Sequence, residues 1–216
     1  MELLNEEVRG EIKRRLEVLP SEVKLIFFKQ NLDCPTCEVV ESLLRELASL
    51  SSRLKLEVHN RVTEEEKAKE YGIDKAPALV LEGAAGNRVR FYGLPGGYEF
   101  ASLLEAIKEA SFGTTELSEP TKKNLANLKS PIHIQVFVTP HCPYCPSAVR
   151  TAHKLALAFP NITADMVEAE EFPELSMKFG VSGVPKIIIN EAGGFDGARP
   201  ESAFVSAILE TARTAD

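Results

Sequence analysis

One repeated interval constrains the fold of this chain more than any other feature of its sequence. The same separation of 108 residues joins three pairs of landmarks: Cys34 and Cys142, Gly72 and Gly180, and Pro77 and Pro185. Because the chain has 216 residues, this interval is half its length and matches the size of a small domain. The sequence therefore predicts an internal duplication at the scale of a domain.

Each half shows the same order of predicted elements. An opening helix precedes an apolar strand and a CxxC motif, which begins a helix; a strand, a short helix, a strand pair with a Gly-containing turn and a closing helix follow. The opening helices are expected at about 2–18 and 119–129, and the closing helices at 99–110 and 201–212. Thr63 and Glu66 predict a capping box for one short helix. The polar, turn-rich segment 111–120 predicts a domain boundary, giving units 1–115 and 116–216.

Charge and composition exclude several classes of partner. The formal net charge is −7, and the longest basic run is the three-residue segment 13–15, which argues against nucleic acid and acidic membrane surfaces. The N-terminal twenty residues contain no uninterrupted apolar stretch, so we expect neither a signal peptide nor a membrane anchor, and a cytoplasmic location. Only two glutamines, no Trp and many Glu and Lys residues favour a thermophilic source.

All four cysteines lie in the two CxxC motifs, CPTC at 34–37 and CPYC at 142–145. At the start of a helix, free amide N–H groups and the helix dipole stabilise a thiolate on the first cysteine. In such motifs the thiol pKa falls from about 8.5 to about 3.5–7.5. The thiolate attacks in disulfide exchange, and the second cysteine, Cys37 or Cys145, can then close the ring and release a bound substrate. The prolines at 35 and 143 suit the first helical turn.

Two other uses of the cysteines stay open at this point. A zinc site needs both pairs to converge on one tetrahedral ion, although 104 residues lie between the pairs. Two inert structural disulfides are a second alternative, but closing such a short loop stabilises little. A redox pair explains both motifs best.

Each half resembles a thioredoxin-fold unit, with a CxxC after the first sheet strand and an apolar residue–Pro step 43 residues after the first cysteine. CPYC is typical of glutaredoxins. The tandem arrangement resembles the protein disulfide oxidoreductases of thermophilic archaea and bacteria. The resemblance implies an α/β fold of two tandem thioredoxin-like domains, each a central mixed sheet flanked by helices. Peroxide-reductase flavoproteins also carry a tandem thioredoxin-fold region, in which one unit usually lacks its cysteines.

The resemblance also implies a function. It predicts an enzyme that exchanges dithiols and disulfides, with isomerisation as a further activity, protein thiols and disulfides as substrates, and a flavin-dependent reductase as partner. It predicts no metal and no organic cofactor. Cys34 and Cys142 would attack, and the Ala76–Pro77 and Val184–Pro185 bonds would be cis and present backbone to a substrate chain. A glutathione-dependent, glutaredoxin-like reductase and a non-enzymatic zinc-binding interaction module are the alternatives.

The chain departs from thioredoxins in the acid that serves the resolving thiol. Six residues before the first cysteine, where thioredoxins have a buried Asp, this chain has Phe28 and Val136. Glu57 and Asp165 are candidate substitutes, although two solvated strand acids is the interpretation we favour. The acidic segment 168–174 is interpreted as a solvated loop and helix start. His59, His133 and His153 show no metal-ligand spacing, and only His141 adjoins a reactive group.

Overall fold

Both halves of the chain fold as the repeat predicts. The structure is a computed structural model that describes residues 3–214. The first half consists of α1 (Glu6–Leu16), β1 (Val23–Lys29), α2 (Cys37–Ser49), β2 (Leu54–Asn60), α3 (Glu65–Glu70), β3 (Ala78–Gly83), β4 (Gly86–Tyr92) and α4 (Glu99–Phe112). The second consists of α5 (Glu119–Leu125), β5 (Ile132–Val138), α6 (Cys145–Ala158), β6 (Ile162–Glu168), α7 (Pro173–Lys178), β7 (Lys186–Ile189), β8 (Gly193–Asp196) and α8 (Glu201–Thr214). Position 2 of the expected opening helix lies outside the described residues.

The eight strands form one sheet, in the order β2-β1-β3-β4-β6-β5-β7-β8. The α/β class and the tandem units are confirmed, but the four-stranded sheets of the two units are joined rather than separate. The join is a parallel pairing of β4 with β6, from Val89 opposite Ala164 to Tyr92 opposite Val167. Pairing removes two exposed sheet edges, each a row of unsatisfied backbone groups. The boundary predicted at 115/116 falls between α4 and α5 and remains a prediction.

The two faces of the sheet carry different helices. In β1 the side chains of Val23, Leu25 and Phe27 belong to the larger core, which also includes residues of α1, α2, α4, α5, α6 and α8. Ile26 and Phe28 point to the opposite face, where a smaller core contains residues that flank or belong to α3 and α7. Each fully buried Phe contributes about 1.5–3 kcal/mol through the apolar surface it removes from water. The CxxC helices α2 and α6 therefore lie on one face.

A buried ion cluster lies at the junction of the two units. Arg90 on β4 donates from Nε to Asp165 on β6 at 2.6 Å, and His133 Nε2 on β5 lies 2.6 Å from the same carboxylate. Burial alone would raise the pKa of Asp165, but the charges of Arg90 and His133 outweigh it and hold this pKa well below its usual range. The interpretation of Asp165 as a solvated acid is wrong, because a strand of the other unit covers it.

Other contacts reinforce this junction. Arg88 on β4 donates from Nε to the carbonyl of Ala156 at 2.8 Å, near the C-terminal end of α6, where carbonyl groups lack helical partners. Helix α4 packs against α6, and Lys154 lies 3.6 Å from Glu109 across that contact. The units therefore share strand pairing, helix packing and charged contacts.

The capping box predicted for the short helix α3 is wrong. This helix is preceded by Glu64, whose side chain makes no cap bond to it. Glu64 instead accepts from the backbone N–H of Asn60 at 2.8 Å, and the Asn60 side chain accepts from the amides of Val62 and Thr63. Asn at the end of a strand competes successfully for local amides, as Asn commonly does in turns. Within residues 3–214, no helix combines the length and apolarity needed to cross a membrane.

We expect replacement of Arg90 by Met to reduce the free energy of unfolding by about 3 kcal/mol, the lower end of the range for leaving a buried charge unpaired. The lower end applies because His133 remains beside Asp165. The double variant Arg90→Met/Asp165→Asn should regain most of this loss, since no uncompensated carboxylate stays buried. Urea unfolding of the parent, both variants and Arg53→Met, an exposed control, tests this. A double variant no more stable than Arg90→Met would contradict the argument.

Candidate active site

Each CxxC motif lies between the end of a sheet strand and the start of a helix. Helices α2 and α6 begin at Cys37 and Cys145, the second cysteines, so Pro35 and Pro143 lie in the turn before the helix rather than in its first turn. The cysteines form two disulfides, Cys34–Cys37 and Cys142–Cys145, with Cα atoms 5.4 and 5.5 Å apart. Within each motif the first cysteine is the more exposed: Cys37 and Cys145 are buried, whereas Cys34 is half-buried.

The second site shows how a thiolate would be stabilised. The backbone N–H of Cys145, the first amide of α6, donates to Cys142 Sγ at 3.1 Å. This amide is one of the helix N–H groups that have no partner inside the helix, and it lies at the positive end of the helix dipole. The carbonyl oxygen of Val184 lies 3.7 Å from the same sulfur. The sequence-based expectation that Val184 adjoins Cys142 is therefore reproduced in the geometry.

The two X–Pro steps are placed beside the cysteines by the sheet. Ala76–Pro77 and Val184–Pro185 are both cis, as the resemblance implies. Each immediately precedes an antiparallel strand, β3 or β7, whose first residues pair with the last residues of β1 or β5. Because the CxxC loops begin where β1 and β5 end, each cis step adjoins a disulfide. A role of these four residues in binding substrate remains a prediction.

Both motifs lie at the same edge of the sheet. Strands β1, β4, β6 and β5 run in one direction, so the loops that follow β1 and β5 leave from the same end. Four strand steps of about 4.8 Å place the ends of β1 and β5 about 19 Å apart. One tetrahedral zinc ion cannot bind four sulfurs at that separation. The geometry therefore argues against the zinc alternative.

The two active-site loops differ in length by one residue. Four residues separate Lys29, the last of β1, from Cys34, but three separate Val138, the last of β5, from Cys142. In the longer loop Asp33 takes a positive φ of 55°, a conformation that Asp tolerates better than most residues. Two positions equally distant from their cysteines consequently point to opposite faces: Phe28 towards α3, and Val136 towards α6.

Neither candidate substitute for the thioredoxin acid lies beneath a CxxC helix. Glu57 is on β2, the edge strand, where it is partly exposed and lies 3.8 Å from Lys24. Its neighbours Leu56 and Val58 pack with the core of α2, so Glu57 points to the opposite face. Asp165 alternates in the same way with Ala164 and Met166 and points away from α6. The proposed substitution by these two acids is therefore wrong.

Two other carboxylates, missed by the sequence analysis, lie on the CxxC side of the sheet. Glu41 is one helical turn after Cys37 and mostly buried; Lys29 Nζ lies 2.6 Å from it. Burial opposes its charge, but Lys29 and Arg45 lower its pKa, so it remains an anion. The i, i+4 spacing from Cys37 was visible in the sequence. Its pairing with a strand-end lysine was not.

Glu99 is the second of these carboxylates. It begins α4, and the preceding residue, Tyr98, donates from its backbone N–H to the carbonyl of Pro140 in the second active-site loop at 3.2 Å. Glu99 is 1% exposed, and neither carboxylate oxygen has a hydrogen-bond partner of good geometry. Burial raises the pKa of Glu99 to about 7, and Ser102 and Arg150 offset this only in part.

The histidines take no part in a metal centre. His153 is buried on α6 against the ring of Phe91, and burial lowers its pKa to about 4, so it is neutral. His133 belongs to the Asp165 cluster, and His59 lies 2.6 Å from Glu64. His141 is exposed beside Cys142. Within residues 3–214, no group of three or more His, Cys, Asp or Glu side chains is arranged to hold a metal ion.

Comparison with known proteins agrees with this geometry. The family model for the thioredoxin domain matches the chain twice, over residues 22–105 and 132–210. The chain belongs to the thioredoxin-domain family. Among solved structures, it is similar to a protein disulfide oxidoreductase from Aeropyrum pernix, with 32% identity and a TM-score of 0.90, covering 99% of this chain and 96% of that one.

A second similar structure is that of the alkylhydroperoxide reductase protein AhpF from Enterococcus faecalis. It shares 29% identity and a TM-score of 0.86, with 95% of this chain and 99% of that chain covered. The alkyl hydroperoxide reductase protein of the same kind from Staphylococcus aureus is 25% identical over 189 residues, which are 87% of this chain but 34% of that protein. The chain thus spans about a third of the length of the curated relatives it matches.

Glu99 gives a test by pH. Its pKa is raised on folding, so the unfolded chain releases this proton at lower pH, and the stability of the parent falls as pH rises from about 4.5 to 7. We expect Glu99→Gln to gain about 1–2 kcal/mol over the parent between pH 5 and pH 8. Urea unfolding at both pH values measures this difference, with the exposed Glu66→Gln as control. An equal difference at the two pH values would refute the buried-acid assignment.

Proposed function

We propose that this protein is a dithiol–disulfide oxidoreductase in which Cys34 and Cys142 attack and Cys37 and Cys145 resolve. The observation that carries the proposal is the pair of intact CxxC disulfides, each at a helix start beside a cis X–Pro step in its own thioredoxin unit. The greater burial of the second cysteine supports the division of roles, because the attacking sulfur must reach a substrate.

The second site illustrates the reaction in the direction of substrate reduction. The Cys142 thiolate, stabilised by the Cys145 amide, attacks one sulfur of a substrate disulfide; the substrate S–S bond breaks, a mixed disulfide forms and one substrate thiolate leaves. Cys145 loses its proton and attacks Cys142 Sγ, forming the internal disulfide and releasing the second substrate thiolate, which takes up a proton. The substrate gains two electrons, and the CxxC loses two. Dithiol oxidation is the reverse sequence.

The X–Pro steps supply the backbone that would hold a substrate chain. The Val184 carbonyl already lies 3.7 Å from Cys142, so an extended peptide pairing with this segment would carry its disulfide to the sulfur, as in strand addition. Ala76 and Pro77 would do the same at the first site. Side chains of the peptide contribute little to such pairing, which suits an enzyme for varied protein thiols and disulfides.

The source of electrons is part of the same proposal. A flavin-dependent reductase would reduce the oxidised CxxC pairs, an inference supported by similarity to the longer alkyl hydroperoxide reductase proteins, of which this chain matches about a third. No metal or organic cofactor takes part in the proposed exchange. A cytoplasmic location and action on protein substrates complete the proposal, with glutathione as the competing thiol suggested by CPYC.

Trapping of a mixed disulfide tests the assigned roles. In a Cys34→Ala/Cys37→Ala background, Cys145→Ser should accumulate a covalent adduct with a disulfide-bonded peptide, because Cys142 can attack but nothing resolves it. Cys142→Ser should form no such adduct. Intact-mass measurement after acid quenching records the result. Trapping by Cys142→Ser alone would reverse the roles, and preferential trapping of glutathione by Cys145→Ser would favour the glutaredoxin-like alternative.

The separation of the two sites predicts their connectivity in solution. Because about 19 Å separates the strand ends that lead into the sites, mild oxidation should join Cys34 to Cys37 and Cys142 to Cys145 without a bond between the units. Non-reducing peptide mapping of the oxidised full chain measures this, with the reduced, alkylated protein as control. A substantial fraction of Cys34 bonded to Cys142 would show that the sites meet.

A further inference from the structure

A side chain of the second unit reaches into the first CxxC motif. Glu171 lies in the segment between β6 and α7, and one carboxylate oxygen accepts a hydrogen bond from the hydroxyl of Thr36, which stands between Cys34 and Cys37. The other oxygen accepts from the backbone N–H of Leu94 at 2.6 Å. The expectation that the acidic segment 168–174 is solvated is therefore wrong at Glu171. Its carboxylate belongs to the surroundings of the first site.

The backbone around Glu171 is built for this close approach. Gly93 has a φ of +90°, and a Cβ added there would lie 2.6 Å from Glu168 Cβ and 2.9 Å from Glu171 Oε1. Only glycine fits that conformation and that space without displacing neighbours. The Glu171 N–H donates to the carboxylate of Glu168 at 2.7 Å, and Glu168 is 3% exposed. Glu171 is thus held at its backbone and at both carboxylate oxygens.

The second CxxC motif differs at the matching position. Tyr144 corresponds to Thr36, and 71% of Tyr144 is exposed, so it is not covered by the other unit as Thr36 is. Duplication would give both sites the same helix start and the same X–Pro step. The contact from Glu171 therefore separates two sites that are otherwise built alike.

The charges around the first disulfide make this contact electrostatically important. A cleft of about 670 Å³ is lined by, among others, Asp33, Asp74, Lys75, Glu171, Glu174 and Lys178. Its two lysines are each held by a carboxylate: Lys75 by Asp74 at 2.5 Å, and Lys178 by Glu191 at 2.6 Å. Glu171 and the adjacent Asp33 thus place negative charge beside Cys34, and a nearby like charge disfavours a thiolate.

We propose that Glu171 is a positioning residue through which the second unit sets the redox character of the first site. Held by Thr36 and Leu94, its carboxylate opposes negative charge on Cys34, so the reduced form is less stabilised and the Cys34–Cys37 pair is the more strongly reducing of the two. This inference rests on the proposed role of Cys34 as the attacking thiol. It also explains why the two units share one rigid sheet instead of being joined by a flexible linker.

The test compares Glu171→Gln with Glu170→Gln, which removes an equal charge from the exposed neighbouring position. Both are made in the full chain carrying Cys142→Ala and Cys145→Ala, so that only the first site reports. Titration of the thiolate absorbance should show the ionisation constant of Cys34 raised about 3- to 10-fold by Glu171→Gln, a pKa decrease of about half to one unit. The equilibrium with a glutathione buffer should shift by a similar factor towards the dithiol. Glu170→Gln should cause less than half of either shift on a logarithmic scale.

An unchanged Cys34 ionisation constant in Glu171→Gln, or an equal shift in Glu170→Gln, would overturn the inference; a purely structural role would lower stability without moving this constant. If Glu171→Gln does not fold, Thr36→Val replaces it: releasing the carboxylate should shift the constant in the same direction, and no shift would again overturn the inference. The titration needs no turnover. Absence of exchange between the background protein and a disulfide-bonded peptide would instead defeat the proposed function, so the two failures are read from different measurements.

Discussion

The parallel pairing of β4 with β6 is the interaction on which the arrangement of this molecule depends. Each thioredoxin unit has an edge strand at this position, and joining the edges parallel makes β1 and β5 run in the same direction across one sheet. Since both βαβ crossovers from β1 and β5 lead to α2 and α6 on one face, the two disulfides lie at the same end and on the same side. A rotation of one unit relative to the other would lose this alignment. A single extended substrate can therefore meet both sites from one direction.

Much of this arrangement was predictable from the sequence, because the features involved are local and occur twice. The apolar segments of 23–29, 54–60 and 132–138 form strands at those same residues, and each CxxC precedes a helix. The joined sheet was not predictable. An edge strand that pairs with another unit and one that faces solvent have the same alternating pattern, so β4 gives no signal of its partner. The ion cluster of Arg90 and Asp165 follows from that pairing and was hidden with it.

The same reasoning explains the errors made about acids. Asp165 and Glu171 look like solvated residues because carboxylates are seldom buried without a partner, and their partners, Arg90 and Thr36, are 75 and 135 residues away in the chain. The counting argument at Phe28 and Val136 failed for a different reason: one extra loop residue before Cys34 reverses which face of the strand a fixed offset describes. Sequence spacing located the cysteines correctly, since they lie beyond that insertion at an undisturbed interval of 108 residues. It could not locate what surrounds them.

A duplicated scaffold gives both sites the same basic surroundings, namely a helix start that stabilises a thiolate and an adjacent X–Pro step. Differences between the sites must then come from residues that the duplication did not copy. In the first unit these are the extra loop residue with Asp33, the Lys29–Glu41 pair beside α2, and the contact from Glu171. In the second they are His141 beside Cys142 and the buried Glu99 contributed by the first unit. Because Glu171 and Glu99 each come from the opposite unit, neither site has its complete surroundings within its own half, and the joined sheet is a condition of the chemistry as well as of the fold.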